Sequence, residues 1–157
     1  MKLSALYQIF LDCQSVTTDS RNCPDGSLFI ALKGESFNGN AFAKLALDSG
    51  CAFAIIDEIQ YAVEGDQRYI LVDDCLQTMQ QLANYHRRQL GTRVIGITGT
   101  NGKTTTKELI SSVLCQNHNV LYTLGNLNNH IGVPTTLLRL KPEHDLAVIE
   151  MGANHQG

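Results

Sequence analysis

Arg93-Val94-Ile95-Gly96-Ile97-Thr98-Gly99-Thr100-Asn101-Gly102-Lys103-Thr104-Thr105-Thr106 decides how this chain is read. An apolar, β-rich run meets a glycine turn, then Gly-Lys-Thr, then a helical pattern. A strand-to-helix turn of this kind aims successive backbone N–H groups, a helix N-terminus and one ammonium at a single point. Such convergent positive potential suits a polyphosphate. The general phosphate-loop spacing asks for glycine where this chain has Ile97, with Gly96 and Gly99 the nearest glycines. The expected phosphate-binding set is Gly99, Thr100, Asn101, Gly102, Lys103, Thr104 and Thr105. In it Lys103 meets the β- and γ-phosphates and the Thr104 hydroxyl meets Mg²⁺.

Downstream, the pattern predicts a helix over 103–117, a strand over 120–123, a polar loop over 125–134, a helix over 135–140 and a strand over 146–149. In parallel α/β sheets ligands gather at the carboxyl ends of the strands. Glu150, just past the last apolar run, therefore faces the same edge as the glycine turn. It is expected as a catalytic residue with Lys103 and as a Mg²⁺ ligand with Thr104; the alternative is a surface carboxylate capping the next loop. Asn128 and Asn129 carry amides suited to phosphate or sugar oxygens, or else to turn chemistry. His130 and His155 read as solvated loop histidines, and Lys107 as a surface residue one turn after Lys103.

Upstream, a short amphipathic helix over 1–11 carries Leu3, Leu6, Tyr7 and Phe10 on one face. Strands are expected at 28–32, 52–56 and 69–72, with a helix over 41–49 closed by Gly50 and a long helix over 75–90 closed by Gly91. The fold class is α/β. A small unit at residues 1–85 precedes the start of a parallel-sheet nucleotide unit at 86–157.

The chain has 157 residues, 43% hydrophobic and 17% charged. That suits a globular protein of one large or two small domains. Its net charge of −3 gives no nucleic-acid footprint. No apolar run reaches the ~20 residues of a membrane span, and the first residues carry no signal-peptide pattern, so no membrane insertion and a cytoplasmic location are expected. Residues 1–85 hold five Lys/Arg against eleven Asp/Glu, and residues 86–157 seven against four, so the basic half carries the glycine turn. The five cysteines, Cys13, Cys23, Cys51, Cys75 and Cys115, form no CxxC pair and are expected as buried thiols.

Three blocks together resemble the Mur ligases, the ATP-dependent amide ligases of peptidoglycan assembly. They are Asp19-Ser20-Arg21 with Pro24-Asp25-Gly26-Ser27-Leu28-Phe29-Ile30-Ala31-Leu32-Lys33-Gly34; Thr98 to Thr105; and Gly125-Asn126-Leu127-Asn128-Asn129-His130-Ile131-Gly132-Val133-Pro134 with Glu150 to Gly157. The last block is most similar to the branch that joins D-alanyl-D-alanine to UDP-N-acetylmuramoyl-tripeptide. The resemblance implies ATP and Mg²⁺ as cofactors, those two small molecules as substrates, and a UDP-substrate domain followed by the ATPase. It also implies Ser20, Arg21, Asn38, Gly39, Asn128 and Asn129 as substrate-binding residues. A third family domain, which closes over the amine, has no counterpart here. The chain is therefore expected to be an N-terminal portion, inactive alone, whose open sheet edge invites self-association. A folylpolyglutamate synthetase shares the glycine turn but not the Asp-Ser-Arg block. A non-catalytic nucleotide-binding module is the alternative from another class.

Overall fold

The structure, a computed structural model, describes residues 2–152; His155 and the rest of the segment after Gly152 lie outside the described residues. The chain divides into two compact units, Met1–Leu82 and Ala83–Gly157. Among the described residues no helix is long and apolar enough to cross a membrane.

The first unit runs α1 (Leu3–Asp12), β1 (Val16–Thr17), β2 (Leu28–Ile30), a 3₁₀ turn (Gly39–Phe42), α2 (Ala43–Asp48), β3 (Phe53–Ile56), a second 3₁₀ turn (Ile59–Tyr61) and β4 (Tyr69–Leu71). Helix α3 (Cys75–Leu90) follows, and the division between units falls inside it. The strands form one parallel sheet in the order β1-β2-β3-β4, with Phe29 opposite Ala54 and Ile55 opposite Ile70. Parallel strands covered on both faces are apolar without alternation. Leu28-Phe29-Ile30 and Ala54-Ile55-Ile56 obey this and are fully buried. The stripe of α1 buries Leu6, Tyr7 and Phe10, as its spacing predicts.

The second unit adds β5 (Arg93–Ile97), α4 (Lys103–Leu114), β6 (Val120–Tyr122), α5 (Gly132–Leu137) and β7 (Leu146–Glu150). Its sheet is parallel in the order β5-β7-β6, with Ile97 opposite Glu150 and Tyr122 opposite Val148. The two-residue period of a strand sorts β7 into two faces. Ala147 and Ile149 pack with Leu121 and Leu140, against Leu90, Val133 and Leu137. Leu146 and Val148 pack with Val120, against Ile110 and Leu114 of α4. Glu150 has the parity of Leu146 and Val148, so its side chain falls on the α4 face.

Both helices α4 and α5 differ from expectation. Helix α5 starts at Gly132 rather than at residue 135, because the Asn129 Oδ1 accepts from the N–H groups of Ile131 and Gly132 and organises the first turn early. Pro134 then sits in that first turn, where its missing N–H costs nothing. Helix α4 ends at Leu114 rather than 117. Cys115, at its C-terminus, is exposed, against the expectation of buried thiols, while Cys51 and Cys75 are buried.

Candidate functional site

The turn between β5 and α4 depends on its glycines. Gly102 is the N-cap of α4 at φ 75° and Gly99 sits at φ 145°, regions that a side chain disfavours. The first turn of α4 holds no acidic residue, so no side chain of that turn offsets the positive end of the helix dipole. Residues Gly99, Thr100, Asn101, Gly102, Thr104 and Thr105 are exposed. The Lys103 Nζ folds back and donates to the Gly99 carbonyl at 2.7 Å, which places the ammonium over the turn.

Glu150 forms the floor. It is 1% exposed, which excludes the surface-cap alternative. Its N–H donates to the Thr123 Oγ1 at 2.9 Å. Its Oε1 accepts from the Thr104 hydroxyl at 3.2 Å and from the Asn128 Nδ2 at 2.8 Å. Its Oε2 is buried and has no hydrogen-bond partner among the described residues. Strand β7 thus brings together residues 46 apart in sequence, and the sequence-expected trio of Lys103, Thr104 and Glu150 lies around one turn.

The remaining expected residues divide. The Asn128 amide nitrogen is engaged on Glu150, and its carbonyl accepts from the Gly152 N–H at 2.7 Å, so it braces the carboxylate. The Asn129 amide oxygen is spent on the start of α5. His130 is exposed. Lys107 contradicts its reading as a surface residue: it is 0% exposed, donates to the Gly125 carbonyl at 3.0 Å and lies 3.9 Å from the Glu150 Oε2. A lysine three residues after Thr104 shares the inward face of α4 with Ser111, and that spacing was the available signal.

In the first unit the Asp19–Arg21 turn follows β1, the loop to Asn40 follows β2, and Asp57 follows β3, so all three gather at the carboxyl edge of one parallel sheet. Arg21 is 87% exposed and grips Asp19 with two parallel bonds of 2.9 Å. Those bonds hold the Asp19 carboxyl down at about 2. Ser20 is half-buried beside it. The Asn38 amide is engaged at both ends: its Oδ1 accepts from the backbone N–H and the Nδ2 of Asn40, and its Nδ2 donates to Glu58. A Cβ on Gly39 would stand 2.3 Å from the Leu32 carbonyl oxygen, so that glycine serves a close backbone approach. Asn40, buried, links this loop to Asp57 through two bonds. Burial pushes the Asp57 carboxyl up, but hydrogen bonds from Asn40, Lys33 and the Cys75 N–H outweigh it and hold the group below the ordinary aspartate value. Phe37 is 55% exposed, with its ring over Gly34.

Comparison with known proteins joins these features. Residues 12–87 match the Mur ligase family catalytic domain, and residues 97–157 match the Mur ligase middle domain. Over 143 residues the chain is 47% identical to the UDP-N-acetylmuramoyl-tripeptide–D-alanyl-D-alanine ligase of Escherichia coli K12, which covers 91% of this chain and 31% of that enzyme. It superimposes on MurF from Acinetobacter baumannii with a TM-score of 0.86 at 38% identity, covering 99% of this chain and 36% of the other. On MurF ligase from Thermotoga maritima, solved in complex with ADP, the TM-score is 0.82 at 30% identity, covering 94% and 34%. The chain spans about a third of the length of these relatives. The glycine turn, the carboxylate beneath it and the Asp-Ser-Arg turn lie within these matched regions, and the chain belongs to the Mur ligase family.

Proposed function

We propose that this chain is the UDP-substrate and phosphate-loop portion of an ATP-dependent ligase that adds D-alanyl-D-alanine to UDP-N-acetylmuramoyl-tripeptide in the cytoplasm. One observation carries the reading: a buried carboxylate stands under a lysine-bearing glycine turn, with one oxygen bonded to Thr104 and the other open. The ADP complex of the Thermotoga relative and the names of the curated relatives support it.

The donor set fits Mg²⁺. A hydroxyl and a carboxylate with an oxygen unpartnered among the described residues are hard oxygen donors of the kind Mg²⁺ takes. Thr104 and Glu150 would hold the ion, which supplies charge neutralisation for the phosphates. Lys103, released from the Gly99 carbonyl, takes the β- and γ-phosphates, and the N–H groups of Gly99 to Thr105 cradle them. In the overall reaction the γ-phosphoryl of ATP passes to the terminal carboxylate of the tripeptide and ADP leaves. The amine of D-alanyl-D-alanine then attacks the acyl phosphate, loses a proton and expels phosphate. The work of these residues is to hold phosphates in line and offset charge on the transferring group.

In the first unit we assign the uridine-diphosphate end of the substrate to the carboxyl edge carrying Ser20, Arg21 and the Asn38–Gly39 turn. Arg21 can exchange Asp19 for a diphosphate oxygen pair with the same fork geometry. The exposed Phe37 ring offers a face for the base. Since Asn38 and Gly39 are engaged in holding their own loop, they act through its shape.

Calorimetric titration of ADP with Mg²⁺ tests the phosphate assignment. Wild-type chain should bind, and Lys103→Ala should weaken binding at least about tenfold while the far-ultraviolet spectrum stays unchanged. Equal affinity in the two proteins would overturn the assignment of Lys103. In the full-length protein the same substitution should lower phosphate release in the presence of all three substrates by orders of magnitude.

A further inference from the structure

We propose that Lys107 is a positioning residue of the phosphate site: its buried ammonium ties the loop after β6 to α4 and faces the open oxygen of Glu150. The inference rests on the phosphate-site reading for its consequences, but its geometry stands in the nucleotide-free chain.

An ammonium removed from water costs several kcal/mol before pairing. Lys107 is 0% exposed on a helix whose neighbouring Ile110 and Leu114 already pack into the core, so an apolar residue there would avoid that cost. Its charge has three oxygens around it. It donates to the Gly125 carbonyl at 3.0 Å, lies 2.9 Å from the Glu108 Oε1 and stands 3.9 Å from the Glu150 Oε2. The last distance is too long for a hydrogen bond and short enough for strong attraction in a buried setting. Lys107 therefore balances the Glu150 charge without occupying its Oε2.

The same ammonium sets the loop. Gly125 is held on α4 by Lys107, Asn128 is held on Glu150, and the Gly152 N–H closes the far end on the Asn128 carbonyl. One buried side chain thereby ties the asparagine loop to the helix that follows the phosphate turn and faces the carboxylate that the loop braces. Without the ammonium the loop loses its tie to α4, Asn128 loses its fixed approach to Glu150, and the carboxylate is left buried opposite no cation.

The experiment compares wild type, Lys107→Met, Glu150→Gln and the double variant. Methionine keeps the stem and removes the charge; should Lys107→Met not fold, Lys107→Gln replaces it. ADP is titrated with Mg²⁺ and again with chelator. The ratio of the two affinities in Lys107→Met should fall by about tenfold or more, the scale of losing an outer partner of a metal ligand. In the Glu150→Gln background the same change should have little further effect on the ratio, because Lys107 acts through that carboxylate. A role confined to packing would leave the ratio unchanged in Lys107→Met, or lower it equally in both backgrounds, and either result overturns the proposal. Amide exchange without nucleotide is the second readout. Lys107→Met should speed exchange at Gly152 and leave the β7 amides at Ala147 and Val148 protected. Unchanged exchange at Gly152 would overturn the loop-tethering role even if ADP binding itself failed in wild type, a failure that would instead count against the phosphate reading.

Discussion

Each unit places an acidic side chain at the carboxyl end of an interior parallel strand, and the two are treated differently. Asp57, after β3, has every oxygen satisfied: Oδ1 by the Asn40 Nδ2 at 2.8 Å and Lys33 at 3.1 Å, Oδ2 by the Cys75 N–H at 3.3 Å. Glu150, ending β7, has Oε1 doubly bonded and Oε2 without a hydrogen-bond partner among the described residues. A saturated buried carboxylate is part of the scaffold. An unsaturated one keeps electrostatic capacity for something that arrives later, and a fold retains such a group only with a counter-charge nearby. The difference is what the proposed metal role of Glu150 needs and Asp57 lacks, although both acids follow apolar strands.

The largest effect on stability should come from Asp57→Asn. The amide places a donor among donors and removes one of the two acidic partners of Lys33, at a cost of about 2–3 kcal/mol to the first unit in urea unfolding. A loss below about 1 kcal/mol would break the comparison on the structural side. Acid sharpens it. The folded Asp57 carboxyl titrates below the ordinary aspartate value, so its stabilising contribution is complete above roughly pH 4 and is lost as pH falls through the folded value. Urea midpoints of wild type and Asp57→Asn should therefore converge as pH is lowered from 6 towards 2.5.

Glu150→Gln should cost less, about 1–2 kcal/mol, since the amide oxygen can keep both Oε1 bonds. Its main effect should appear in the Mg²⁺ requirement for ADP binding, which should rise sharply. An unchanged Mg²⁺ titration would put Glu150 on the same footing as Asp57.

The smallest stability effect should be that of Arg21→Ala, whose guanidinium meets only Asp19 among the described residues, on an exposed turn. Thermal unfolding should not shift, while affinity for a UDP-muramoyl peptide, followed by NMR shifts, should drop. Unaltered affinity would remove Arg21 from the diphosphate site.

The parts legible in the sequence are those whose causes are local. The turn from Gly99 to Thr104 announces itself because the glycines, lysine and threonine act within six residues. Glu150 was legible because an apolar run stops at it, and α3 because its stripe and Gly91 agree. The misread parts depend on distant partners. A lysine on a helix reads as surface unless one knows that the carbonyl of Gly125, 18 residues on, will reach it. Asn129 was left open between ligand oxygens and turn chemistry; its partners are near, and its oxygen takes the N–H groups of a helix start that the residue itself creates. The β5-β7-β6 order has no local cause at all. It leaves β5 exposed along residues as apolar as Val94 while every residue of β7 is buried.

That order also sets a timetable for synthesis. In the first sheet each new strand pairs with the one made before it. In the second, β5 and β6 pair only with β7, so no two-stranded precursor exists until residues 146–150 have been made. At translation rates of about 5–20 residues per second, the interval between Arg93 and its partner Leu146 is on the order of three to ten seconds. For most of it the glycine turn has been made but has no floor. A nascent chain cannot engage nucleotide through Glu150 during that window, whatever the nucleotide concentration around the ribosome.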